Sequence, residues 1–415
     1  LTFILTFDSP RWYSRRWYTA ALLSCWVAVW WVLDKGVEAP ISVQLVIYSA
    51  TLFVTCMICH GEVYRLRPAP RRLTAYYLTI SAGGAVGGVF VALGAPLIFD
   101  SYSEFHWGLW ASGVLLVSVC FRDRSVWAVG RWWGPSWVSL SLAVGLLAWG
   151  LWIHALRADE GAGPSTRNFY GVLTLFDYDA EDPENHYRLL RHGRITHGLQ
   201  FTNPDYARLP TTYFGETSGV GLAIRLTRTE GKRVGVVGLG VGTLATHGRA
   251  GDYYRFYEIN PAVIRLSGPT GDTFTYLRDS EARVEVALGD ARLSMEREPS
   301  QHFDVLALDA FSSDSIPVHL LTQEAFEIYR RHLRPDGVIA VNIANRYLDL
   351  EPVVLKATRH LGMRALIING EKNDEDTWIY PSAWVLLTNN RALIEHPEIQ
   401  EAVSAPRAGA PDIPM

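Results

Sequence analysis

No cysteine follows Cys120 in this 415-residue chain. All four, Cys25, Cys56, Cys59 and Cys120, lie in the apolar front, so no disulfide framework supports the remainder and thiol usage does not reveal a redox compartment. Positive charge is scarce in the back: residues 157–415 carry 27 Lys and Arg against 35 Asp and Glu, a balance that argues against nucleic acid as partner. Residues 1–156 have the opposite bias, 11 against 7, so the net charge of -4 hides a basic front and an acidic back. Ionisable side chains are absent from the depths of the long apolar runs, which excludes an obvious proton or ion path and makes transport a poor reading. Leu1 is no start methionine, and Leu1 to Phe7 is too short to span a bilayer. It reads as the tail of a helix or an interfacial anchor, not as a signal peptide.

What is present is hydrophobic. Five runs, 17–33, 40–60, 74–98, 105–121 and 134–156, approach the ~20 residues that a bilayer core requires. Trp12, Trp17, Trp31, Trp107 and Trp133 sit near their ends, where amphipathic rings suit the water–lipid boundary. Gly83-Gly84 and Gly87-Gly88 form small-residue lines that predict close packing inside this bundle, with oligomerisation by the same face as the alternative. Arg11, Arg15 and Arg16, then Arg65 to Arg72, then Arg122, Arg124 and Arg131 share one side. Lys35 stands alone on the other, so the positive-inside rule makes the arginine side cytoplasmic and leaves the residues after 156 outside. Cys56-Met-Ile-Cys59-His60 has the spacing of a haem attachment site. With no second ligand evident, it reads as two buried thiols and a boundary histidine.

Residues 1–156 are thus expected as a multi-span transmembrane domain, and 157–167, with Gly, Pro and Ser, as a linker. Short β-rich runs over 168–231 predict a small platform of antiparallel strands with a connecting helix near 218–229. From 232 to 390, strand-like and helix-like runs alternate, which predicts a mostly parallel sheet covered on both faces. Residues 391–415 read as a tail, loose from Ala405 onward.

The second domain opens on Arg233-Val-Gly-Val-Val-Gly238-Leu-Gly240-Val-Gly242, an apolar strand that breaks into glycines and then turns amphipathic. Glycines let the backbone turn sharply and approach a ligand. Glu258 ends the next apolar run, where a nucleotide fold puts an acid against a ribose diol, and Asp290 in Gly289-Asp290-Ala291 ends a third. Phe303 to Asp309 delivers another carboxylate to the same rim, with Asp314 on the loop beyond. Carboxylates there can attract an amine and accept its proton. The competing reading makes Asp309 a turn cap and Asp314 a solvated loop residue.

The order Gln200, Tyr213, Gly238 to Gly242, Glu258, Gly289-Asp290-Ala291 and Asp309 to Asp314 resembles the spermidine synthase (aminopropyltransferase) family in its membrane-fused bacterial form. The resemblance covers about 168–390. Cys59-His-Gly-Glu62 and Arg65-Leu-Arg-Pro-Ala-Pro70 in the multi-span front resemble the same group. It implies an α-helical transmembrane bundle followed by an α/β Rossmann-like domain of the S-adenosylmethionine-dependent methyltransferase type, with a small N-terminal β platform. It further implies that Gly238, Gly240 and Gly242 lie under the nucleotide, that Glu258 takes the ribose, and that Asp290 with Ala291 holds the adenine. Gln200 and Tyr213 would line the donor and acceptor region, and Asp309, with Asp314, would supply the base. Decarboxylated S-adenosylmethionine, or S-adenosylmethionine itself, would be the co-substrate, with no metal, and the place a bacterial inner membrane.

Departures from the family pattern concern the amine half. Ala310 and Phe311 interrupt the acidic loop, Phe214-Gly215 follows Tyr213 in place of His-Glu, and Asn342 to Tyr347 replaces a Glu and Trp, with Arg346 set to repel a polyamine. Three readings stay open: a membrane-bound aminopropyltransferase acting on a small amine, another S-adenosylmethionine-dependent transferase, and a non-catalytic subunit of a membrane complex or oligomer that uses this domain for docking.

Overall fold

The computed structural model describes residues 1–122, 133–158, 161–311, 316–345, 348–371 and 376–405. They form two compact units, Leu1–Glu160 and Gly161–Met415, each with its own core.

In the first unit, α1 (Thr2–Asp8) precedes α2 (Arg15–Lys35), α3 (Ile41–Arg65), α4 (Leu73–Val89), α5 (Ser103–Arg122) and α6 (Trp133–Ala158). Five segments, Arg15–Lys35, Ile41–Arg65, Pro70–Ile98, Ser103–Arg122 and Val138–Arg157, are helices long and apolar enough to cross a membrane. Helical spacing puts Leu22, Trp26 and Val29 on one stripe of α2, where they meet Leu116 of α5 and Val144 of α6. Beyond α4 the backbone widens into a π-helical turn, Phe90–Gly94. Pro96 explains this, because its ring excludes a regular bond to the carbonyl four residues back.

Charge is buried at one end of this unit. The Arg15 guanidinium grips Glu62 with two bonds, Nε to Oε1 at 2.7 Å and Nη2 to Oε2 at 2.5 Å, and the Tyr13 hydroxyl donates to Oε1 at 2.6 Å. The pair joins the first turn of α2 to the last turn of α3.

Two expectations change here. The helix carrying Gly83, Gly84, Gly87 and Gly88 has no buried residue, and a methyl added at any of the four would meet nothing within 4 Å. Tight packing of that face inside the bundle is therefore corrected: the small residues look away from the other described helices. Cys56 and Cys59 are half-buried free thiols one turn apart, and His60 Nδ1 is engaged with the Thr2 hydroxyl at 3.0 Å.

The second unit begins earlier than expected. Ala162–Asn168 is strand β1, paired antiparallel with β2 (Gly171–Tyr178), so the stretch expected as a linker is half sheet. Pairing of Ser165 to Asn168 against Gly171 to Thr174 overrides a composition that reads as loop. Strands β3 (Tyr187–His192) and β4 (Ile195–Phe201) complete a four-stranded platform, and α7 (Gly219–Thr227), capped by Ser218, leads to the main sheet.

That sheet contains β5 (Arg233–Val237), β6 (Tyr253–Glu258), β7 (Arg283–Leu288), β8 (Phe303–Leu308), β9 (Leu333–Asn342), β10 (Arg364–Gly370), β11 (Ser382–Thr388) and β12 (Val403–Ser404), in the order β12-β10-β11-β9-β8-β5-β6-β7. Strands β5 to β9 are parallel, and β11 inserts antiparallel beside β9. This is the Rossmann-like order of the methyltransferase type. The order reverses between β5 and β8, so the crevice for a ligand lies beyond their carboxyl ends. Helices α8 (Pro261–Ser267), α9 (Ala291–Arg297), α10 (Gln323–Arg331) and α11 (Glu351–Leu361) cover the sheet.

Two further differences concern helices. The stretch 242–250 forms only a 3-10 turn, Thr243–His247, ended by Gly248. Residues 391–404 are no tail: α12 (Arg391–Ile394) and α13 (Pro397–Ala402) precede β12, which pairs with Ile367 and Ile368, and Ile399 is fully buried. The loose segment expected after Ala405 lies outside the described residues.

Removing one partner of a buried ion pair leaves the other uncompensated, at a cost of about 3 kcal/mol. Glu62→Ala should therefore lower the melting temperature of the full chain in detergent, and Arg15→Met with Glu62→Met should recover most of the loss. Equal melting of Glu62→Ala and the parent chain would assign the pair no structural weight.

Candidate active site

Three backbone hydrogen bonds continue the ladders past the strand ends and set the crevice. Gly238 N donates to Tyr257 O, Asp309 N to Val237 O, and Gly289 N to Glu258 O, each at 2.9 Å. In this register Gly238, Glu258, Asp290 and Asp309 reach one rim and line a cavity of about 310 Å³. Gly240 and Ala291 line it as well.

The glycines are required by space. Gly238 has φ 97°, and a Cβ there would lie 2.4 Å from the Asp309 carbonyl oxygen. At Gly240, φ is 55° and a Cβ would fall 2.8 Å from the His197 carbonyl oxygen. Gly242 differs. Its φ is 88°, an added Cβ would strike Leu277, and it does not line the cavity.

Glu258 is buried, and its carboxylate accepts from Asn260 N at 2.7 Å and Leu239 N at 3.0 Å. Burial raises its pKa and the backbone donors oppose that shift. The carboxylate thus splints the glycine turn to the β6–α8 turn, and Glu258 lines the cavity. Asp290 caps α9 through Leu293 N at 2.9 Å, and its other oxygen meets His319 Nε2 at 2.7 Å. Asp309 is pushed up to about 7 by burial, against the opposing bond that Asn342 Nδ2 donates to Oδ1 at 2.7 Å. A carboxyl poised near neutrality can take a proton from a bound ammonium and release it to solvent.

Other expected residues are not brought to the cavity. Gln200 donates to Ala207 O at 2.8 Å and Thr275 Oγ1 at 3.0 Å and accepts from Thr275 N at 2.8 Å. It is a buried staple rather than part of the wall. Tyr213 also stays off the wall but lies near Asp309, whose charge joins burial in raising the phenol well above its usual range. Asp314 and Arg346 lie outside the described residues.

The wall adds groups that the sequence did not single out. His192 and His197 come from the platform, with ring centroids 5.2 Å apart, and His319 reaches Asp290 from the loop before α10. Burial pushes His192 down, against its bond to Tyr170 O at 2.8 Å, so the imidazole is neutral where Asp309 titrates. Phe169 and Tyr170 form the tip of the β1–β2 hairpin over the cavity, with Phe169 96% exposed. Asn168 Nδ2 latches that tip to Asn260 Oδ1 at 2.6 Å. Asn260 also lines the cavity, and its own Nδ2 is buried without a partner among the described residues, a donor left for a ligand. Lone histidines and asparagines carry no periodic signal. Only Asn260, between Glu258 and Pro261, stands where a cap residue is expected.

Among the described residues, no group of three His, Cys, Asp or Glu side chains is arranged to hold a metal ion.

A raised Asp309 has a stability consequence. Between the ordinary carboxylate value and about 7 the unfolded chain releases a proton that the folded chain keeps, so stability falls as pH rises through that window and stays reduced above it. Asp309→Asn removes this loss. The variant should melt roughly 10 °C above the parent chain near pH 8, and at the same temperature near pH 4. An Asn variant that melts lower at the higher pH would mean that the carboxylate is stabilised there.

No protein-family model matches the chain. Among curated proteins it is similar to a polyamine aminopropyltransferase of Vibrio vulnificus, with 26% identity over 159 residues, 37% of this chain and 50% of that protein. It is also similar to a probable polyamine aminopropyl transferase of Bifidobacterium longum, with 29% identity over 110 residues, 26% of this chain and 23% of that protein. The chain thus spans about half the length of the first and less of the second. Among solved structures, a probable spermidine synthase from Corynebacterium glutamicum aligns with a TM-score of 0.41 at 17% identity, over 55% of this chain and 79% of that one. Over the residues they match, the chain is similar to these two polyamine aminopropyltransferases, the family that its motif order resembles.

Proposed function

We propose that the chain is a membrane-integrated aminopropyltransferase that moves the aminopropyl group of decarboxylated S-adenosylmethionine to a small amine. The reading rests on one observation: Gly238, Glu258, Asp290 and Asp309 converge on a single cavity at the carboxyl rim of β5 to β8. The cavity volume of about 310 Å³ suits one adenosyl-sized ligand. The resident groups fit such a ligand. Gly238 and Gly240 leave a cradle that a Cβ would fill, Glu258 offers acceptor lone pairs for ribose hydroxyls, and Asn260 Nδ2 is an uncommitted donor. Asp290, held by His319, faces the adenine amino group, with Ala291 beside it.

The chemistry is a displacement. The amine nitrogen forms a bond to the aminopropyl carbon as the carbon–sulfur bond breaks. The electron pair stays on sulfur, and methylthioadenosine leaves. An ammonium has no lone pair for this attack, so Asp309 takes its proton first and passes it to solvent. Asn342 orients the Asp309 carboxyl, and Tyr213 stands near it. The rest is positioning: a fixed sulfonium and a fixed nitrogen convert a bimolecular encounter into an in-line approach.

A second reading is favoured by charge. Arg122, Arg124 and Arg131 precede the last apolar helix and the second unit follows it, so a cytoplasmic arginine side puts the crevice across the membrane from a cytosolic donor. In that case the unit serves as a docking surface in a membrane assembly.

Turnover separates the two. With decarboxylated S-adenosylmethionine and a diamine, the full chain should release methylthioadenosine at a rate that falls below about pH 7 as Asp309 protonates. Asp309→Asn should lose at least about 100-fold in rate while nucleotide affinity, followed by calorimetry, changes little. Neither binding nor turnover in the parent chain would leave the docking reading.

A further inference from the structure

The platform has a second cavity, on the face opposite the crevice. Neighbouring residues of β3 point to opposite faces. Leu190 belongs to the core beneath the crevice, while Leu189 joins Phe176 and Leu199 in a separate cluster with Trp378 and Tyr380. Beside that cluster lies a cavity of about 360 Å³ that shares no lining residue with the crevice.

Its walls are aromatic and its charge is of one sign. Tyr187, Phe201, Tyr206, Trp378 and Tyr380 line it, with Phe201 meeting the Trp378 ring edge-on at 5.6 Å and the Tyr206 ring at 6.1 Å. Asp179 and Glu184, on the loop between β2 and β3, add two carboxylates, and among the described residues no Lys or Arg lines the cavity. The neighbouring Arg188 is already engaged with Asp177 at 3.3 Å, which His186 Nε2 also meets at 3.1 Å. Among the described residues, neither Asp179 nor Glu184 has a basic partner. Segment 378–380 is fixed behind the cavity by backbone bonds, Thr212 N to Trp378 O at 2.7 Å and Tyr380 N to Thr212 O at 3.0 Å. Aromatic faces attract a cation through their quadrupoles, and carboxylates at the mouth add charge attraction and exclude anions. An uncharged apolar ligand would leave both carboxylates uncompensated.

We propose that this cavity is a binding site for a small organic ammonium ion, separate from the crevice and with no part in the displacement. The cation sits against the Trp378, Tyr380 and Tyr187 rings and is matched in charge by Asp179 and Glu184. The inference does not depend on the transferase reading.

The test is calorimetric titration of the full chain in detergent with butyltrimethylammonium, which has no N–H to lose and so cannot be an acceptor for the transfer, and with butan-1-ol as the uncharged control. The parent chain should bind the ammonium and not the alcohol. Asp179→Asn with Glu184→Gln, both on an exposed loop, should melt as the parent does and bind at least about tenfold more weakly. Trp378→Leu should weaken binding more than Trp378→Phe, which keeps a ring face. Asp309→Asn should bind as the parent. Absence of ammonium binding in the parent, unchanged affinity in the double variant, or a loss confined to Asp309→Asn would each overturn the proposal.

Discussion

Each of the three hydrogen bonds that carry the parallel ladders one residue beyond their strands is ordinary. Together they set the positions of Gly238, Gly289 and Asp309 relative to one another. Because side-chain direction alternates along a strand, a slip of one residue would turn Glu258 or Asp309 into the core or away from the crevice. The register is held by burial on both faces: β8 is buried at every position, and Val234, Val236 and Val237 of β5 are buried as well. A packed sheet thereby fixes the geometry of a polar rim that could not hold itself together.

The rim works against the stability of the sheet that builds it. Glu258 and Asp309 are carboxylates pushed upward by burial, and each is only partly relieved, the first by backbone donors and the second by Asn342. Such shifts are destabilising for the charged form and are useful where a proton must be exchanged near neutrality. The platform closes the opposite wall, latched by Asn168 to Asn260, and brings neutral His192 rather than a further positive charge. Since Asn260 also accepts from Ala262 N, one side chain ends β6, starts α8 and anchors the hairpin.

Much of this was legible from residue order. Apolar runs ending in Glu258, Asp290 and Asp309 mark parallel strands, because buried parallel strands read as continuous hydrophobic segments. Glycines at 238 and 240 mark a turn that excludes side chains. Residues whose roles depend on distant partners were not legible. Gln200 is consumed by Thr275, 75 positions away, and Gly242 answers to Leu277, so local pattern could assign neither. The 3-10 turn after the glycine loop is cut short by Gly248, where a longer helix is expected. Strands β1 and β12 lie in stretches that read as linker and tail because their pairing partners, not their compositions, make them strands. In the first unit, length and hydropathy mark the five apolar helices, whereas the open glycine face of α4 depends on what surrounds it.

The central claim is that the rim of β5 to β8 seats an adenosyl group. Determination of the structure of the full chain with methylthioadenosine tests it most directly. The account predicts the adenosyl group in the crevice, ribose hydroxyls on Glu258, the adenine amino group at Asp290, and the sulfur turned toward Asp309. Nucleotide bound anywhere else, or a crevice that stays closed to it at saturating concentration, would contradict the claim.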